Sequence, residues 1–170
     1  MSTCPDAGAN LDIRRAGPAD TVLLQELYVE AARWRVSQGI LLWDEKTFTQ
    51  EYIAGLMADY ELFIAYSGGE AAGCFTLQWS DKSLWGERDR GDAGYLHRLV
   101  VTRKLSGLRL GTRLLEWAES YIRRAGKTYF RLDCMSENSG LNAYYRNAGF
   151  VYLETVPGDG WSANLYEKKL

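Results

Sequence analysis

YLHRLVVTRKLSGLRLGTRLLEWAE, residues 95–119, is the stretch on which the fold turns. YLHRLVV is apolar and rich in strand formers, so it reads as a β-strand. TRKLSG then breaks the run with charge and glycine. Leu110, Leu114, Leu115, Ala118 and Ile122 recur at helical spacing, and Gly126 stands where a helix would end on a left-handed residue. TYFRLDCM, residues 128–135, is a second strand. Strand, helix and strand in that order predict a βαβ unit with parallel strands and a right-handed crossover.

The pattern extends in both directions. Downstream, NSGLNAYYRNAG reads as a short helix closed by Gly149, and FVYLETV and WSANLYEKK as the last two strands. Upstream, residues 81–94, DKSLWGERDRGDAG, read as a polar loop. Before it, YELFIAYS and AAGCFTLQWS flank GGE, the signature of a hairpin. LDIRRA begins the fold as a strand, and GPADTVLLQELYVEAARWRV follows as an amphipathic helix with Leu24, Leu27, Tyr28 and Ala31 on one face. A turn at Gly39, the aperiodic ILLWDE and a second helix over residues 45–58 complete the order, and the turn is placed to line a pocket. The fold class expected is α/β: a mixed, mostly antiparallel sheet flanked by helices, with a central parallel βαβ unit. Residues 1–10 are expected to be flexible and residues 11–170 to form a single domain.

Composition narrows the function. A net charge of −2 argues against a nucleic-acid-binding surface, while leaving room for a local basic loop. Cys4, Cys74 and Cys134 lie far apart and the chain has one histidine, so neither a disulfide framework nor a zinc site is suggested. No metal, no nucleic acid and no membrane are expected. No basic start precedes an apolar segment, and no apolar run approaches the roughly 20 residues that span a bilayer, which predicts a cytoplasmic protein.

Three features carry chemistry. The loop after the strand at 95–101 leads into a helix N-terminus, where unpaired N–H groups and a partial positive charge suit an anion; Arg103, Lys104 and Arg109 add charge, and Gly107 and Gly111 allow close backbone approach. The same loop reads equally well as an ordinary basic connection, and it is neither a Walker loop nor a dinucleotide fingerprint. His97 lies mid-strand between Tyr95 and Leu99, so alternation puts the three on one face; an imidazole there is either a proton acceptor near neutral pH or a satisfied structural group. Leu141, Tyr144, Tyr145 and Ala148 follow a helical stripe, which suits core packing or a phenol that donates a proton to a leaving thiolate. Arg98 and Asp133 are placed to pair across the sheet.

Taken together, YLHRLVVTRKLSGLRLGTRLLEWAE and FRLDCMSENSGLNAYYRNAGFVYLE resemble the GNAT superfamily of acyl-CoA-dependent N-acyltransferases, and the resemblance runs over nearly the whole chain. It implies a GNAT-like sheet and a pyrophosphate loop of pattern Q/R-x-x-G-x-G/A, which falls on Ser106, Gly107, Leu108, Arg109, Leu110 and Gly111, with Thr112 following. Ser106 and Arg109 depart from that pattern. A side chain in place of the first glycine predicts either crowding of the phosphates, a different φ, or direct phosphate binding by Arg109. The resemblance further implies that the backbone of Leu99, Val100 and Val101 holds the pantetheine arm, with Asn138 and Tyr144 beside it, that Tyr145 is the general acid, and that His97 stands where many members carry a base.

Acetyl-CoA as acyl donor and direct transfer to a primary amine, without a metal, follow from the same resemblance. The acceptor, a small molecule with an aromatic or apolar body, is expected against Trp34, Trp43, Asp44, Trp79 and Asp81, with Trp85 and Glu87 nearby. A homodimer is left open. The alternative is a non-catalytic GNAT-like module that binds a CoA species or a protein partner.

Overall fold

A computed structural model describes residues 10–170 apart from Leu41 and Ser106. The expected flexible start, residues 1–10, lies outside the described residues except for Asn10. Among the described residues, seven strands, β1 (Leu11–Arg15), β2 (Glu61–Ser67), β3 (Glu70–Gln78), β4 (Ala93–Val101), β5 (Tyr129–Met135), β6 (Val151–Pro157) and β7 (Ser162–Lys169), form one sheet in the order β1-β2-β3-β4-β5-β7-β6. Five helices accompany them: α1 (Thr21–Ser37), α2 (Gln50–Asp59), α3 (Lys82–Trp85), α4 (Leu110–Arg124) and α5 (Ser139–Asn147). β4 and β5 are parallel, pairing Ala93 to Tyr95 with Tyr129 to Arg131, and α4 connects them, which is the expected βαβ unit. β1 with β2, β5 with β7 and β6 with β7 are antiparallel. No helix among the described residues is long and apolar enough to cross a membrane.

The chain divides into two compact units, one of residues up to Thr76 with Arg98–Leu114, the other of Leu77–His97 with Leu115–Leu170. In the first, Leu24, Leu27, Tyr28 and Ala32 of α1 pack with Phe48, Ile53, Leu56, Leu62, Ile64, Cys74 and Val100. The fourth residue of the α1 stripe is therefore Ala32 rather than Ala31, which is only half-buried: the stripe closes on the i+4 neighbour of Tyr28. Residues 45–58 are not one helix. Glu45–Thr47 makes a single 3-10 turn, and α2 begins only after Thr49, whose hydroxyl caps the Tyr52 N–H at 3.1 Å. The β2–β3 hairpin turns on Gly68 and Gly69, both with positive φ (58° and 82°), as a two-residue mirror-image turn requires.

In the second unit, Trp85, Ala93, Tyr95 and Leu165 form one core cluster. A second group of rings, Phe130, Tyr145, Phe150 and Tyr166, packs with centroids 5.0 to 6.1 Å apart. Residues 81–94 are not a plain loop: α3 and a 3-10 turn, Gly86–Arg88, fold them against β4 by burying Trp85 edge-on to Tyr95 at 5.5 Å. Helical turns this short carry no periodicity, so the composition alone reads as loop.

Candidate active site

His97 sits near the end of the β4 segment that belongs to the second unit, with its side chain 19% exposed. Its Nε2 lies 3.0 Å from Asp81 Oδ2, and its Nδ1 lies 3.4 Å from Asp133 Oδ1. The imidazole thus stands between carboxylates from the segment after β3 and from β5. Asp133, on β5, thus faces His97. The shared face of Tyr95, His97 and Leu99 rests on unbroken alternation, and Arg98 interrupts it with φ of 52°.

The β5–α5 junction is held by an asparagine that sequence reasoning passed over. Asn142, buried on the first turn of α5, donates to the carbonyls of Met135, Ser136 and Asn138 at 3.1, 3.4 and 2.8 Å. Its own oxygen accepts from Asn164 at 2.7 Å and from the Tyr166 hydroxyl at 2.6 Å. A polar residue among buried ring positions of a helix is the one signal that marks it. Asn138 caps α5, its side-chain oxygen accepting from the Leu141 N–H at 3.0 Å, which leaves the amide nitrogen to donate elsewhere. Tyr145 lies in the ring cluster at 5% exposure, with Tyr144 beside it at 5.7 Å.

The basic loop belongs to the first unit. Thr102, after β4, donates its N–H to Ala72 at 2.9 Å, and Arg103–Leu105 forms a 3-10 turn. Ser106 lies outside the described residues. Gly107 has φ of 89°, and nothing stands within 4 Å of the place a Cβ would take, so the loop is open at that point. Arg109 takes φ of 52°. That is the left-handed conformation that glycine adopts freely, and it costs an arginine roughly 1–2 kcal/mol. α4 then starts at Leu110, with Arg113 N–H bonding back to Arg109 at 3.1 Å, so Gly111 and Thr112 fall in the first turn, where helix N–H groups point outward. A left-handed turn, an open glycine, a helix start and the charges of Arg103, Lys104 and Arg109 fit a diphosphate.

The residues expected around an acceptor fall in different surroundings. Trp43 and Asp44 line a cleft of about 350 Å³ with Ala32, Arg33, Val36 and Glu45, in the first unit. There Trp43 packs on Tyr28 and Phe48, and Arg35 lies flat on its ring at 3.6 Å. Trp34, 36% exposed, is covered by Arg103 at 4.3 Å rather than facing that cleft. In the second unit Trp79 stacks on Tyr121 at 6.1 Å, Trp85 is core, and Asp81 is engaged by His97.

A mostly antiparallel sheet with β4 and β5 parallel and joined through α4 is the architecture that the resemblance implied. Residues 24–150 match the Acetyltransferase (GNAT) family, and the chain belongs to that family. The uncharacterized N-acetyltransferase YesJ of Bacillus subtilis is 32% identical over 158 residues, covering 89% of this chain and 86% of the relative. A GNAT-family acetyltransferase from Listeria monocytogenes superposes with a TM-score of 0.81 at 27% identity, covering 96% of each chain. The PaiA N-acetyltransferase from Thermoplasma acidophilum, solved in complex with coenzyme A, shares the fold at TM-score 0.71 and 20% identity, covering 95% of this chain and 99% of that one.

Proposed function

We propose that the protein transfers the acetyl group of acetyl-CoA directly to a primary amine of a small molecule, with His97 as general base and Tyr145 as general acid. The observation that carries this reading is the His97 imidazole held between Asp81 and Asp133. Gly107 to Thr112 take the diphosphate of acetyl-CoA and Leu99 to Val101 its pantetheine arm, and its thioester presents a carbonyl open to attack. The amine nitrogen forms the C–N bond as the C–S bond breaks with its electron pair on sulfur. His97 takes the proton the amine loses, and the Tyr145 hydroxyl gives one to the thiolate. The imidazolium and tyrosinate are then reset through solvent, leaving amide and CoA thiol.

The cleft at Trp43 and Asp44 supports an acceptor with an apolar body and a cationic head, since Ala32, Val36 and Trp43 give it apolar walls and Asp44 gives it negative charge, Glu45 being paired with Arg33. The test is thiol release from acetyl-CoA across a panel of aromatic, aliphatic and polyamine acceptors. Turnover of aromatic amines, lost in His97→Ala and slowed roughly 10- to 100-fold in Tyr145→Phe, is the expected result, because a thiolate of pKa about 8.5 leaves tolerably without help. No turnover of any amine while acetyl-CoA still binds would overturn the acceptor class. Wild-type kcat in Tyr145→Phe would remove that residue from the role.

A further inference from the structure

His97 is the end of a run of hydrogen bonds that begins inside the second unit. Buried Arg131, paired with Glu167 at 2.8 Å, donates to the Tyr95 hydroxyl at 2.9 Å. Tyr95 in turn donates to Asp89 Oδ1 at 3.0 Å. The other Asp89 oxygen accepts from the Ser80 hydroxyl at 2.6 Å and from the Asp81 backbone N–H at 2.9 Å. Asp81 Oδ1 accepts from Ser83 at 3.1 Å, and its Oδ2 meets His97 Nε2 at 3.0 Å. Every link is a donor facing an acceptor, so the segment between β3 and β4 is fixed in one place by Asp89.

Burial alone would raise the Asp89 carboxyl, yet the bonds from Ser80, the Asp81 N–H and Tyr95 outweigh it and hold the group below the usual carboxylate range. Burial pushes the Tyr95 hydroxyl up to about 12, so it remains a donor. Asp89 therefore stays an acceptor for all three partners throughout the neutral range.

We propose that Asp81 is a positioning residue for His97, accepting from Nε2–H so that Nδ1 is the nitrogen that receives the amine proton, and that Asp89 holds Asp81 in that place. The proposal rests on His97 being the base. A neutral imidazole has one donor and one acceptor nitrogen, and an ionised carboxylate can only accept, so contact at hydrogen-bond distance with Asp81 fixes the hydrogen on Nε2. Nδ1 then carries the lone pair. Asp133 stands farther off, at 3.4 Å, and faces the positive charge that appears on the ring when the proton arrives. The proton moves from the amine nitrogen to Nδ1, and the electron pair it leaves behind forms the C–N bond.

The chain has a single histidine, so a histidine-selective ¹⁵N spectrum reads this one ring directly. The full-length protein is compared with Asp81→Asn, Asp89→Asn and His97→Ala, and turnover is followed with 2-phenylethylamine as the probe amine. In the alkaline range the wild type is expected to show hydrogen on Nε2 alone. Asp81→Asn, nearly the same shape, presents an amide that can donate to Nε2; it is expected to populate the other tautomer and to lower kcat roughly 10²- to 10⁴-fold with acetyl-CoA affinity unchanged. Asp89→Asn should shift both readouts the same way by less. An unchanged tautomer in Asp81→Asn, or hydrogen on both wild-type nitrogens at alkaline pH, would overturn the proposal. A slow His97→Ala beside an Asp81→Asn of wild-type rate would overturn the positioning role alone, whereas a fast His97→Ala would overturn the base itself.

Discussion

Arg109 shows how one residue can answer to two demands. Its φ of 52° is a conformation that costs an L-residue about 1–2 kcal/mol, and the loop keeps it although glycine would adopt it freely. Part of that cost returns through the unfolded chain, which an arginine leaves less disordered than a glycine does, by about 0.5–1 kcal/mol. Arg109→Gly should therefore change stability little, raising it by about 0.5 kcal/mol in urea unfolding. If the guanidinium binds phosphate, the same variant should weaken acetyl-CoA binding by about tenfold or more in calorimetry, the worth of a charge-assisted hydrogen bond. Tighter binding by Arg109→Gly would mean that the side chain crowds the diphosphate.

Glycines within regular elements separate packing from propensity. On β3, a Cβ at Gly73 would stand 2.3 Å from the Val100 carbonyl oxygen, and a backbone atom cannot step aside. On α2, a Cβ at Gly55 would meet nothing within 4 Å. Gly73→Ala should cost about 2 kcal/mol or more and Gly55→Ala should stabilise by about 0.5–1 kcal/mol, both read from denaturant midpoints. Equal effects would mean that β3 can move away from Val100. The same contrast between local and distant causes explains what the sequence made legible. The βαβ unit, the Gly68–Gly69 hairpin and the end of α4 at Gly126 follow from periodicity and turn chemistry within a few residues, and the structure has them where expected. The split between Glu45–Thr47 and α2 depends on the Thr49 cap, and the break in alternation at Arg98 within β4 on a positive φ in a residue that gives no sign of it. At the site, His97 and Tyr145 stand out by chemical type. Asp81 meets His97 across 16 positions of sequence through a loop whose path Asp89 sets, and no local pattern encodes that meeting.

At the scale of the molecule, each compact unit carries one buried thiol among the described residues, Cys74 in the first and Cys134 in the second. Burial pushes both up to about 12, and Asp133 adds to the effect at Cys134. A thiol whose folded pKa lies above its unfolded value of about 8.5 favours the folded chain below about pH 8.5, and that contribution drains away as pH rises toward about 12. The two thiols can therefore report on the units separately. With Cys4 replaced by Ser, a neutral alkylating reagent should modify Cys74 and Cys134 at least about a thousandfold more slowly than in the denatured chain, because reaction must wait for opening. Because the folded thiols stay protonated, each rate should rise tenfold per pH unit toward about 12 by either route, so denaturant rather than pH identifies the route. Alkylation that waits for an opened state should quicken in urea concentrations below the unfolding midpoint. A rate that dilute urea leaves unchanged would place the reaction inside the folded pocket, with reagent reaching the sulfur through a closed core. Close packing around Cys74, which is fully buried, excludes that path, so a urea-dependent rate is the outcome expected for the first unit. Cys134 lies on β5 next to Asp133, where alternation turns its thiol to the opposite face of the sheet; a urea-independent rate there, with Cys74 still urea-dependent, would show that the second unit admits small molecules to that face without unfolding.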